Sequence, residues 1–224
     1  MSSLSAILYF ITQHPFWSWP LFLLLGVALS LLLVKRTRKK RWFLLILAFF
    51  IYGQVNLFVA HIFNAMFLEA FGVQGTAVIT HSDETSSTLN DQNIWDYDGV
   101  LQTADGSDVV VQFDTMSASI YPITNAINIP PQGEAFVVKY IPGFPRNFVV
   151  MRDLSSYGKR MLIAEDREPV EKASTQFAVS PGNKDFIAEY RSALTTFIDQ
   201  HRHDADPGLI RDYQARLDAL PPAD

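Results

Sequence analysis

Lys35-Arg36-Thr37-Arg38-Lys39-Lys40-Arg41 separates two long apolar runs, and six of its seven residues are basic. Loops on the cytoplasmic side of a membrane carry an excess of Lys and Arg close to the spans. The heptapeptide therefore reads as a cytoplasmic loop, 35–41, between two transmembrane helices, with both termini on the far side. The first run, 16–34, is long enough to cross a hydrocarbon core of roughly 30 Å. Trp17 and Trp19 stand at its outer end, where indole rings favour the headgroup region, and Pro20 suits a first helical turn. The second run, 42–68, is longer and can tilt or extend out of the bilayer; Glu69 is the first charge after it.

A cleaved signal peptide would carry its positive charges before the apolar run, whereas here they come after it. A helical hairpin is the better reading. Residues 1–15 are apolar but interrupted by His14-Pro15 and too short to span, so they read as an interfacial segment carrying Ile7, Leu8, Tyr9, Phe10 and Ile11.

Charge divides the chain at the same place. Residues 1–68 contain no Asp or Glu, and their only Lys and Arg are the six in the loop. The remainder holds 12 basic and 23 acidic residues, a net charge of −11. Such a part repels nucleic acid and anionic lipid, so neither is an expected partner of it. Cysteine is absent, which excludes disulfides, thiol catalysis and thiolate metal sites.

From residue 72 the pattern becomes that of short strands, and 72–152 reads as a periplasmic β domain. Thr76 to Thr80 is a candidate strand, and the polar stretch 81–93 reads as an exposed loop. Asp105-Gly106 then joins two arms, 94–103 and 107–114, as a hairpin. In the second arm Val109, Val111 and Phe113 alternate with Val110, Gln112 and Asp114, so the first set should face the core. Tyr97, Gly99 and Leu101 make the matching set across the turn. Residues 134–141 and 147–152 are further strands, divided by Pro142-Gly143-Phe144-Pro145.

Four features occur in order: Gly-x-x-Val at Gly75, Tyr-Asp-Gly at Tyr97, Gly-Glu-x-x-x-Val-x-Tyr from Gly133 to Tyr140, and Pro-x-x-Pro at Pro142. Together they resemble a widespread, uncharacterised family of small bacterial membrane proteins with two spans around a compact exported β domain. That family commonly ends its Val-x-Tyr strand in a Tyr-Asp-Pro turn; here Tyr140-Ile141-Pro142 lacks the Asp. The resemblance covers roughly residues 72–152 and implies a fold and a topology rather than an activity.

Residues 153–182 read as a connector with a Ser180-Pro181-Gly182 break, and 183–220 as two helices. Asn183 is a plausible cap, and Phe186, Ile187, Tyr190, Leu194, Phe197 and Ile198 form one stripe. Leu209, Ile210, Tyr213 and Leu217 make the apolar side of the second helix. The expected fold is thus a membrane α-helical hairpin plus an exported α+β domain, a small antiparallel β sandwich or barrel followed by two C-terminal helices.

Four groups of residues invite chemical readings. His201, His203, Asp204 and Asp206 are the densest ligand-type cluster, yet two His residues two apart on a helix point in different directions. Gln54, His61 and Asn64 lie close to one face of the second span, with Asn56 pointing elsewhere, and suit interhelical hydrogen bonds. His81-Ser82-Asp83 contains triad letters, but neighbours on one segment cannot adopt triad geometry alone. Asp96, Asp98, Asp105 and Asp108 cluster at the hairpin without the spacing of an EF-hand loop, and turn formation explains them. No catalytic, cofactor-binding or metal residue is assigned.

The reading is a bacterial inner-membrane protein that contacts lipid through its two spans and binds another protein on the periplasmic side. An immunity protein against an envelope-acting toxin is one form of such a module. A periplasmic metal-dependent hydrolase using His201 and His203, and a structural subunit of an envelope or transport complex, are the alternatives.

Overall fold

The computed structural model describes residues 1–89, 91–124 and 126–222. The chain begins with helices α1 (Ser2–Gln13), α2 (Pro15–Thr37) and α3 (Leu44–Phe71), the last preceded by a 3-10 turn, Lys40–Phe43. Next come strands β1 (Val73–Leu89), β2 (Gln92–Gln102), β3 (Asp108–Asp114), β4 (Ile120–Tyr121), β5 (Ala135–Ile141) and β6 (Phe144–Met151). Helices α4 (Ser156–Val179), α5 (Lys184–His201) and α6 (Pro207–Ala219) complete it. The architecture is α+β, and the chain divides into two compact units, Met1–Ser155 and Ser156–Asp224.

Two helices are long and apolar enough to cross a membrane: Pro15–Thr37, and Lys40–Phe71 counting the 3-10 turn, each with mean hydropathy 2.1. Only 17% of each apolar window is buried within the chain, so neither is the core helix of a globule. All six basic side chains of the intervening loop are exposed. The turn itself is tight, because Arg38 takes the left-handed conformation (φ 56°) and its N–H returns to the Val34 carbonyl at 2.7 Å. Glycines bring α2 and α3 together: a Cβ on Gly26 would lie 2.7 Å from Phe49 Cβ, and one on Gly53 would lie 2.6 Å from the Trp19 ring.

The six strands form one open sheet in the order β3-β2-β1-β5-β6-β4, antiparallel except for the parallel pairing of β4 with β6. The expected sandwich or barrel is therefore incorrect. No second sheet is needed, because Ala65 and Leu68 of α3 pack with Ile141, Val149 and Met151 to cover the apolar face. Those residues read as part of a span in the sequence, which hid their role as the sheet's cover.

The hairpin register pairs Tyr97 with Phe113, Gly99 with Val111 and Leu101 with Val109, as the alternation requires. Its turn is longer than a two-residue loop. Thr103 N–H donates to the Ser107 carbonyl at 2.9 Å, leaving Ala104-Asp105-Gly106 as the loop. Gly106 has φ 84°, the left-handed position that closes a three-residue hairpin. Stretch 81–93 is not a loop: β1 continues to Leu89 and pairs Asp83 with Asp96, Glu84 with Trp95 and Thr88 with Asn93. Most of this ribbon is exposed on both faces, so it lacks the apolar alternation that marks a strand. Asn90 lies outside the described residues.

The C-terminal unit has three helices, not two. Most of the presumed connector is α4, whose charged run and interior Pro169 obscure Ile163, Val170, Ala173 and Phe177 at helical spacing. These side chains join Tyr190, Leu194, Phe197, Ile198 and Tyr213 in one core. Asn183 caps α5 by accepting from Asp185 N–H at 2.9 Å, and Asp206 caps α6 by accepting from Gly208 N–H at 2.7 Å.

Candidate functional site: an acidic half-sheet

Residues 70–138 contain nine Asp and Glu and not one Lys or Arg. The fold sets that bias on one side, because β1, β2 and β3 occupy half of the sheet and lie wholly within this stretch. Register then aligns the charges. Asp83 on β1 pairs with Asp96 on β2, and Asp96 pairs with Asp114 on β3, so three carboxylates cross three strands in one row. Directly opposed like charges weaken a sheet by about 0.2–1 kcal/mol each. His81, Asp98 and Gln112 form the next row on the same face, the opposite one from Tyr97 and Phe113.

Local bonds partly organise the rows. His81 Nε2 and Asp83 Oδ2 lie 2.9 Å apart, with side chains 59% and 73% exposed. Gln112 Nε2 donates to Asp98 Oδ1 at 2.7 Å. Asp114 Oδ1 accepts from the Met116 and Ser117 N–H groups, each at 2.7 Å. Asp105, in the hairpin loop, accepts from the Thr103 hydroxyl and the Ser107 N–H, and these bonds hold its carboxyl below the ordinary Asp range. The acids of these rows are exposed or half-buried and bonded only locally. No three His, Asp or Glu side chains among the described residues are arranged to hold a metal ion.

The triad letters separate by strand alternation. His81 and Asp83 share one face, while the Ser82 hydroxyl donates to Gln132 Oε1 at 3.0 Å. At the end of α5, His201 does not meet His203. It is buried, bonded through Nε2 to Asp166 Oδ2 of α4 at 2.7 Å and set against the Phe197 ring. His203 and Asp204 are exposed, and Asp206 is occupied as a cap. Asp166 went unnoticed because its helix did.

The polar residues of α3 divide differently from the reading by spacing. Asn56 is buried against α2, its amide 3.4 Å from Ser18 Oγ, whereas Gln54 is exposed and His61 half-buried. Asn64 is fully enclosed. Its amide donates to Asn147 Oδ1 (2.8 Å) and Ser119 Oγ (2.9 Å), and Asn147 donates back to Asn64 Oδ1 (2.9 Å) and to Ser5 (3.0 Å). This knot ties α1, α3, β6 and the segment before β4. Sequence reasoning missed Ser5 and Asn147, since nothing local distinguishes them from surface residues.

The family-like motifs also acquire physical meaning. Tyr140 on β5 lies beside Gly75 of β1, where a Cβ would sit 3.0 Å from its ring and 2.7 Å from the Gln102 carbonyl. Its hydroxyl then accepts from Ala104 N–H at 2.8 Å. Gly-x-x-Val and Val-x-Tyr are therefore two halves of one clasp on the hairpin turn. Neither a family model, a curated protein nor a solved structure matches the chain.

Proposed function

We propose that the chain is a membrane-anchored module that presents the β1–β3 half-sheet, on the periplasmic side of a bacterial inner membrane, to a basic protein partner. The observation that carries this reading is the Asp83–Asp96–Asp114 row within a stretch free of Lys and Arg. Holding like charges in register opposes folding, and an opposing basic surface relieves it while steering encounter. The basic turn between α2 and α3 supports the inside-facing loop, and the clasp around Gly75 supports kinship with the two-span bacterial family. An immunity protein against an envelope-acting toxin is one member of this class.

Photo-cross-linking residues at Thr85 and Val110, both on the face of the acidic row, test the reading in intact cells. Adducts with a basic envelope protein are expected, and Asp83→Asn with Asp96→Asn should reduce them at least about tenfold, the equivalent of about 1.4 kcal/mol. Unchanged adduct yield in that double variant would overturn it. A reporter fused after Asp224 should be active only outside the cytoplasm; activity inside would overturn the topology.

A further inference from the structure

We propose that α3 pairs with the α3 of a second copy of this chain, inside the membrane, through a seam centred on Gln54. The inference rests on the reading of α2 and α3 as membrane spans. Gln54 lies 13 residues beyond Arg41, the last charge of the turn, and 10 before Asn64, where α3 meets the sheet. At 1.5 Å per residue it is about 20 Å from the first and about 15 Å from the second, inside the apolar run. Its side chain is exposed and makes no hydrogen bond among the described residues. A carboxamide facing hydrocarbon has lost its water and gained nothing in return, which is costly.

The face around it is laid out for a helix. Leu47 (55% exposed), Ile51 (52%) and Phe58 (73%) flank Gln54 at spacings of seven, three and four residues. This is the repeat of a left-handed helix pair. The hairpin's own contacts leave this face free, because Gly53 receives Trp19 and Asn56 meets Ser18 on the side toward α2. Identical topology would bring the second copy's glutamine to the same depth. An amide carries both donor and acceptor, so two related by a twofold axis along the membrane normal satisfy each other. An unrelated helix would have to supply a polar group at that same level. A single polar side chain in such a seam also fixes register.

The natural chain has no cysteine, so single cysteines report without background. Leu47→Cys and Phe58→Cys, each retaining Gln54, would be oxidised in native membranes with copper phenanthroline. Phe63→Cys is the control: nine residues from Gln54, it faces about 180° away. We expect disulfide-linked species of twice the chain mass from the first two and at least fivefold less from the control. Adding Gln54→Leu should lower the yield at least fivefold, and Gln54→Asn should largely preserve it. Dimer that is absent, equal at all three positions or indifferent to Gln54→Leu would overturn the pairing, as would capture of a different protein. Extraction with alkaline carbonate is run in parallel. Release of the natural chain defeats the span reading itself, whereas a chain that stays but does not dimerise defeats only the seam.

Discussion

Between β1 and β6 the buried apolar surface is completed from outside the sheet, by Ala65 and Leu68 of α3, and is fastened by the Asn64–Asn147 knot. Between α4 and α6 every member of the buried cluster comes from residues 170–220, and each of α5 and α6 starts at its own side-chain cap. One part is a sheet built onto the end of a transmembrane-type helix; the other is a bundle that closes on itself. The difference teaches where a cut would be tolerated. A fragment of 156–222 should fold in water, while the sheet without α1 and α3 should not.

The strongest test of that contrast is Leu194→Ala. Leu194 is fully buried at the centre of the bundle, so its removal should cost about 2–5 kcal/mol. Urea unfolding of the 156–222 fragment measures the loss. In the full chain, hydrogen exchange should accelerate in α4 to α6 and stay unchanged in β5 and β6. Spreading of the effect into the sheet would erase the distinction between the units.

Asn147→Ala is the converse. It leaves the buried Asn64 side chain with its bond to Ser119 but without its two bonds to Asn147, and it removes the bonds to Ser5, at about 1–3 kcal/mol for an unsatisfied group. Exchange in α1 and β6 should rise in the detergent-solubilised chain while the C-terminal helices keep their protection. Smaller again is Tyr140→Phe, which removes one acceptor from Ala104 N–H at about 0.5–1.5 kcal/mol. Its signature is faster exchange at Ala104 with the rest of β5 unaffected.

The smallest effect is a pH response at the same turn. Thr103 and Ser107 hold the Asp105 carboxyl below its ordinary range, so the bonds support the turn above the unfolded-state pKa. That support is lost as pH falls through the depressed folded value. Exchange at Ser107 should therefore rise in acid, beneath the usual Asp range of about 3.9, and Asp105→Asn should flatten the profile. An identical profile in the variant would show that the carboxylate does not hold the turn.

Legibility tracked the range of the interactions. The β2–β3 register could be read directly, because Val111 and Phe113 alternate with exposed Val110 and Gln112. The Asn183 cap and the α5 stripe were equally plain, being set within a few turns of one helix. The outer part of the β1–β2 ribbon, within 81–93, was hidden because strands with two wet faces leave no alternation. Helix α4 escaped because Pro169 and a charged run overlie its apolar positions. The acidic bias of residues 70–138 was visible as composition, but its alignment into one row depends on pairing between strands.

The sequence by itself determined the two apolar helices, the basic turn between them, the acidity of residues 69–224, and the local hairpin and caps. Each rests on hydropathy, net charge or bonds that close within a few residues. Only the tertiary structure decided that the sheet is open and mixed, that α3 covers it, and that Asn64 meets Asn147 across 83 positions. Those outcomes depend on which distant surfaces exclude water from each other, and no local pattern encodes that choice.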